Sequence, residues 1–160
     1  VAAAVALAAL GAPAAHAAEA PQVRVEHTFA LGADAVWARL GRFCSIAEWQ
    51  SLVAGCVVDE RRDGLYRTVV MRNDTAYVER LERFSHEERR LAYSILSGPL
   101  PVRRYVSELQ VLPVDARHSR LVWQAWYEVP AGTEAPAVAR DLSALFGNGI
   151  QGMERLLAAD

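Results

Sequence analysis

Apolar and polar residues alternate with a period of two through most of this chain, the repeat that sends successive side chains to opposite faces of a β-strand. Residues 23–30, VRVEHTFA, set Val23, Val25, His27 and Phe29 on one side. The repeat then lengthens. In ADAVWARLGRF, Val36, Trp37 and Leu40 recur at helical spacing and Gly41 ends the turn, and a second short helix is expected around SIAEWQ. From residue 53 the strand pattern returns in VAGCVVDE, LYRTVVMR, AYVERLERF, RLAYSILS, RRYVSELQVLPV and RLVWQAWYEV. The polar separators RRDG, RNDT, SHEE and VDARHS are too short for crossover connections, so successive strands are antiparallel neighbours.

The last third changes period. Thr133 is the expected N-cap, Pro136 sits in the first turn where its missing N–H is harmless, and Val138, Leu142, Leu145, Phe146, Ile150, Met153 and Leu157 form one stripe. A helix over residues 134–158 would be roughly 37 Å long, enough to cross a whole sheet. The order predicts an α+β fold: a curved antiparallel sheet of six to seven strands wrapped around a long C-terminal helix, with two short helices after the first strand. Only the terminal helix is long enough to cover the apolar face of such a sheet. A curved sheet and a single helix do not close like two flat layers, so a gap between them is expected. Gly147, Gly149 and Gly152 interrupt the helix, each unfavourable by about 1 kcal/mol against alanine. They imply a close approach to the sheet or space left for a ligand.

Composition narrows the function classes. With 160 residues and 52% hydrophobic content, the chain suits one domain with one core. The net charge is -2, and the basic residues, all arginine, are scattered from Arg24 to Arg155. That spread gives no surface for nucleic acid or an anionic membrane. The opening VAAAVALAALGAPAAHAAEAP carries no charge before Glu19. Its apolar stretch of about fifteen residues falls short of the roughly 20 needed to span a bilayer. Ala15-His16-Ala17 has the form of a signal-peptidase site, so residues 1–17 read as a signal peptide and residues 22–160 as the working domain. The expected location is periplasmic or secreted, with no stable membrane insertion after cleavage; an alanine-rich tail is the alternative. Cys44 and Cys56 suit a disulfide in an oxidising compartment, or two buried small hydrophobes, and spacing alone does not choose. Two cysteines without clustered histidines make no zinc site, and neither a metal nor a cofactor is expected.

Candidate chemistry gathers on the middle strands. In residues 76–84, Glu79 shares a face with Tyr77 and Leu81. If that face is inward, the carboxylate must be hydrogen-bonded or its pKa will rise; the alternative is a pair with an arginine at the sheet edge. Tyr93 and Ile95 share one face, as do Tyr105, Ser107 and Leu109. Tyr93, Tyr105 and Glu79 are therefore candidates for a small polar cluster in an apolar cavity. The tip SGPLP would be its stiff rim, or its prolines would merely stop edge pairing. Trp49 faces either the cavity mouth or the core. Trp123 and Trp126 lie on a strand with two apolar faces, and their directions stay open. His27 reads as a satisfied core histidine, while His86 and His118 fall in polar turns. No nucleophile elbow, phosphate-binding loop or paired metal ligand is present in the sequence. Glu79, with Tyr105, is thus the only candidate for acid–base work.

Three segments, VWARLGRFCSIAEWQSLVAGC, AYVERLERFSHEERRLAYSI and SGPLPVRRYVSELQV, resemble the START-like (SRPBCC, helix-grip) superfamily, in particular its polyketide cyclase/dehydrase and lipid transport branch. The resemblance implies a large apolar cavity between sheet and long helix. The same segments resemble the soluble abscisic-acid receptors of plants. That likeness puts Glu79, Tyr93, Ile95 and Tyr105 in the cavity wall and Pro99 and Pro101 in a latch-like turn. It puts Gln50 where those receptors carry a ligand-binding lysine. RNDT is shorter than the receptor gate and lacks its Ser-Gly-Leu-Pro sequence, so hormone-triggered gating does not carry over. The expected ligand-binding set is Trp49, Gln50, Val69, Met71, Tyr77, Glu79, Tyr93, Ile95, Pro99, Pro101, Tyr105, Leu145 and Gly149. The expected function is binding or carriage of a small hydrophobic ligand. The alternatives are a cyclase or dehydratase using Glu79, and a periplasmic accessory protein that contacts an oxidoreductase.

Overall fold

A computed structural model describes residues 19–159. The expected leader, residues 1–17, lies outside the described residues. The chain runs β1 (Val23–Phe29), α1 (Ala33–Leu40), α2 (Ile46–Trp49), β2 (Val53–Arg61), β3 (Gly64–Met71), β4 (Ala76–Ser85), β5 (Arg90–Ser97), β6 (Arg103–Asp115), β7 (His118–Glu128) and α3 (Ala135–Ala158). The seven strands form one antiparallel sheet in the order β1-β7-β6-β5-β4-β3-β2, with α3 packed against β1 and α2. This is the helix-grip arrangement that the sequence pattern predicts.

Register irregularities at Val53/Gly55, Val78/Glu79, Leu81/Arg83, Arg103/Val106 and Pro113/Asp115 interrupt the ladders. Such bulges bend strands and raise their twist, which lets the sheet curl around the helix. On β6 the alternation is clean: Tyr105, Ser107, Leu109 and Val111 are buried, and Val106, Glu108 and Gln110 between them are half-buried. β7 is buried on both faces, and the two tryptophans part there. Trp123 points into the core and stacks on Phe146, with ring centroids 4.0 Å apart. Trp126 lies on the other face, where its indole donates to the Glu19 carbonyl 2.8 Å away.

Three local expectations are corrected or resolved. The N-cap of α3 is Glu134, which makes no side-chain capping bond, and not Thr133. Thr133 instead belongs to the preceding turn, where its N–H donates to the Pro130 carbonyl. His27 is only partly buried and lies 2.9 Å from Glu154 of α3, so its partner is a half-exposed carboxylate at the sheet–helix seam. Cys44 and Cys56 are bonded, with Cα atoms 5.6 Å apart, and tie the loop after α1 to β2.

The glycines of α3 have different reasons. A Cβ on Gly152 would stand 1.5 Å from the Trp49 carbonyl oxygen, and one on Gly149 would meet Trp123, Trp49 and Gln50 at 2.9 to 3.2 Å. Both let α3 settle against the end of α2. Gly147 has nothing within 4 Å of where a Cβ would be.

Candidate functional site

Between the N-terminal half of α3 and strands β2 to β7 the molecule keeps a partly enclosed space of about 40 Å³. At roughly 10–15 Å³ for each water centre, it holds about three waters and no ring-sized molecule in this conformation. The trough is therefore mostly filled, by Leu142, Phe146 and Met153 among others, but is not solid. Its walls are apolar: Ile46, Val53, Val69, Met71, Ile95, Leu100, Trp123, Leu142 and Leu145. Five polar side chains, Gln50, Tyr77, Glu79, Tyr93 and Tyr105, share the lining.

The strand register explains how a charge enters this wall. Leu65, Arg67, Val69 and Met71 alternate onto the inner face of β3, and Arg67 stands opposite Glu79 on β4. The Arg67 Nε–H donates to Glu79 Oε2 at 2.6 Å, with both side chains almost fully buried. The guanidinium also donates to the Phe43 carbonyl and lies between two rings, 4.5 Å from the centroid of Phe43 and 4.7 Å from that of Tyr93. Burial pushes the Glu79 carboxyl above its ordinary value, and the arginine beside it pulls the other way. Arginine stays charged, so the pair as a unit carries no net charge when the carboxyl is ionised.

The two members of this pair face different spaces. Glu79 lines the 40 Å³ cavity, whereas Arg67 lines a second void of about 20 Å³ on the α1–α2 side, with Leu40, Ser45, Trp49, Leu91 and Leu109. Ile46, Tyr93 and Trp123 border both. The bond from Arg67 goes to Glu79 Oε2, which leaves Oε1 on the cavity side. Beside it stand Tyr93 and Tyr105, ring centroids 6.4 Å apart. Burial pushes the Tyr93 hydroxyl up to about 12 and that of Tyr105 well above its ordinary value, so both remain protonated near neutral pH. Ser107 donates to the Gln124 carbonyl and accepts from the Trp123 indole, and the Tyr93 and Tyr105 hydroxyls hydrogen-bond to it and to each other.

The cavity brings together Gln50, Val69, Met71, Tyr77, Glu79, Tyr93, Ile95, Tyr105 and Leu145 of the expected set. Gln50 is tied down, its amide donating to the Leu145 carbonyl at 3.1 Å. Trp49, Pro99, Pro101 and Gly149 are not in the wall. Trp49 belongs to the core, edge-on to Trp123, with its indole donating to Ser45. Pro99 and Pro101 are exposed, and Leu100 between them turns inward, because the Tyr77 ring packs over Gly98 and holds the loop. Glu79 is arginine-paired, as the alternative reading had it, yet deep in the wall and not at an edge. Sequence reasoning missed Arg67 and, in the cavity wall, Ile46, Val53, Leu100, Trp123 and Leu142. The first was detectable, since Arg67 shares its strand face with Val69 and Met71.

The turn at residues 72–75 is fastened: Arg72 donates through its N–H to the Leu52 carbonyl and through Nε to the Ser51 carbonyl. Among the described residues no group of three or more metal-binding side chains occurs, and no helix is long and apolar enough to cross a membrane.

A comparison with curated proteins finds no match. Solved structures share the fold. An uncharacterised protein from Bacillus thuringiensis superposes with a TM-score of 0.77 at 21% identity, over 85% of this chain and 98% of its own. A START superfamily protein from Mycobacterium smegmatis gives 0.70 at 13% identity, over 86% and 97%. The Zhui aromatase/cyclase from Streptomyces sp. R1128 gives 0.62 at 20% identity, over 84% and 90%. The model of the family described as polyketide cyclase / dehydrase and lipid transport matches residues 20–158, and to that family this chain belongs.

Proposed function

We propose that this protein binds and carries a small apolar molecule in the cavity between the sheet and the N-terminal half of α3. The observation that carries the reading is the partly enclosed apolar slot whose wall includes Glu79, Tyr93 and Tyr105 from three neighbouring strands. That composition, mostly apolar with a few convergent polar groups, is how ligand sites are built. A guest larger than a few waters enters only if part of the wall moves. Leu100, on the loop between β5 and β6, and Leu145, on α3, are partly buried wall residues, and they are the ones proposed to swing out.

A cyclase or dehydratase role for Glu79 is less well supported. Its carboxylate is held by Arg67, and the remaining groups in the wall are tyrosines held in the protonated form and an amide already in use. In the proposed role the protein works outside the cytoplasm; the Cys44–Cys56 bond supports that location, since such bonds persist in oxidising compartments.

Native mass spectrometry of protein purified from its own compartment tests the proposal. Carriage predicts a retained low-mass adduct that organic extraction removes. Protein free of any adduct that co-purifies with an oxidoreductase would favour the accessory role instead.

A further inference from the structure

The buried ion pair is split between two spaces, and this asymmetry has a consequence for the ligand. The larger cavity sees the carboxylate of Glu79, while the guanidinium of Arg67 is turned to the smaller void and already occupied by Glu79, the Phe43 carbonyl and two aromatic rings. Among the described residues no cationic side chain lines the larger cavity. A ligand carboxylate leaving water for this slot would find no free cation and would face a like charge. A ligand hydroxyl would find Glu79 Oε1 on the cavity side, since the bond from Arg67 goes to Oε2, and near it Tyr93 and Tyr105, whose hydroxyls already hydrogen-bond to each other and to Ser107. Gln50 does not alter the balance, because its amide N–H is spent on the Leu145 carbonyl.

We infer that the cavity selects apolar molecules ending in a neutral hydroxyl, such as a phenol or an alcohol, and rejects the matching carboxylates. The inference rests on the binding reading above and adds to it the polar group the guest must carry. Its physical content is one hydrogen bond to an ionised acceptor in a site shielded from water, against one uncompensated buried anion.

Three probes of one shape decide it: p-cresol, p-toluate and toluene, titrated into the intact protein at neutral pH and followed by NMR chemical shifts. The expected result is that p-cresol binds at least about tenfold more tightly than toluene, the ratio one hydrogen bond to a charged group supplies, and that p-toluate binds most weakly. If all three bind equally, or p-toluate binds best, the inference is overturned while the binding reading stands. If none binds, both fall. Glu79→Gln should narrow the gap between p-toluate and p-cresol, because it removes the like charge from the cavity wall. Because that variant leaves a buried cation and is at risk of not folding, the double change Arg67→Met with Glu79→Met provides a second arm. An apolar replacement of a buried pair is usually tolerated. In it, p-cresol should lose its advantage over toluene; an advantage that persists would place the acceptor elsewhere and overturn the inference.

Discussion

The two halves of α3 meet the rest of the molecule differently. From Gly149 onward the helix is pressed down, with Gly152 against the backbone of Trp49 and Met153 and Leu157 buried in the core. Before Phe146, whose ring stacks on Trp123, Leu142 and Leu145 stand across a cavity from β3, β4 and β5. One rod therefore serves as core at one end and as cavity wall at the other. The difference is set by residue size: glycines remove the spacing atoms where the helix touches α2, and leucines with facing tyrosines pack imperfectly where it does not. A cavity of this kind needs no missing element, only an uneven seam.

The largest expected effect comes from spoiling the tight half. In Gly152→Leu the new side chain would begin 1.5 Å from a backbone oxygen, an atom that cannot swing aside. Overpacking normally destabilises by 1–3 kcal/mol, and this case should exceed that range, at about 4 kcal/mol or more, measured by urea unfolding. A loss under about 1 kcal/mol would mean that α3 can lift from α2, and the contrast between the halves would dissolve.

Next comes the charged wall of the loose half. Arg67→Ala leaves Glu79 buried without its partner and should cost about 3–5 kcal/mol, whereas Arg67→Met with Glu79→Met should stay within about 1 kcal/mol of the parent. Equal losses in both variants would show that the space around the pair, and not its charge, holds this region together. The smallest effect is expected at Gly147, where nothing lies within 4 Å of the added atom. Gly147→Ala should stabilise by up to about 1 kcal/mol, through helix propensity and a less flexible unfolded chain. A loss of stability there would reveal a contact that the geometry does not contain.

Much of this fold is legible in the chain. Short polar turns between alternating runs force antiparallel neighbours, and the single long amphipathic helix must cover the sheet, so element order and most boundaries follow from periodicity. Side-chain direction is harder where both faces of a strand are apolar. On β7 the outer face is also covered, because residues 19–22 cross it: Glu19 accepts from Trp126, and Gln22 accepts from the N–H of Tyr127. Periodicity could not separate Trp123 from Trp126 for that reason. Arg67 shares its face of β3 with Leu65, Val69 and Met71, so placing Val69 and Met71 in the wall already puts Arg67 on the inner face. Its pairing with Glu79 needed the register between β3 and β4. The disulfide required a distance, and the cavity required the fit of side chains from eight helices and strands and two loop residues, Gln50 and Leu100. Neither is a property of spacing.

If the proposed carriage is right, a guest enters the seam beside the N-terminal half of α3 and nowhere else along it. Methyl NMR of the protein titrated with p-cresol tests it directly. The expected shifts are confined to Val69, Met71, Ile95, Leu142 and Leu145, with Met153 and Leu157 unmoved. Shifts centred on Met153 and Leu157, or only on the exposed outer residues Val57 and Leu96, would contradict it.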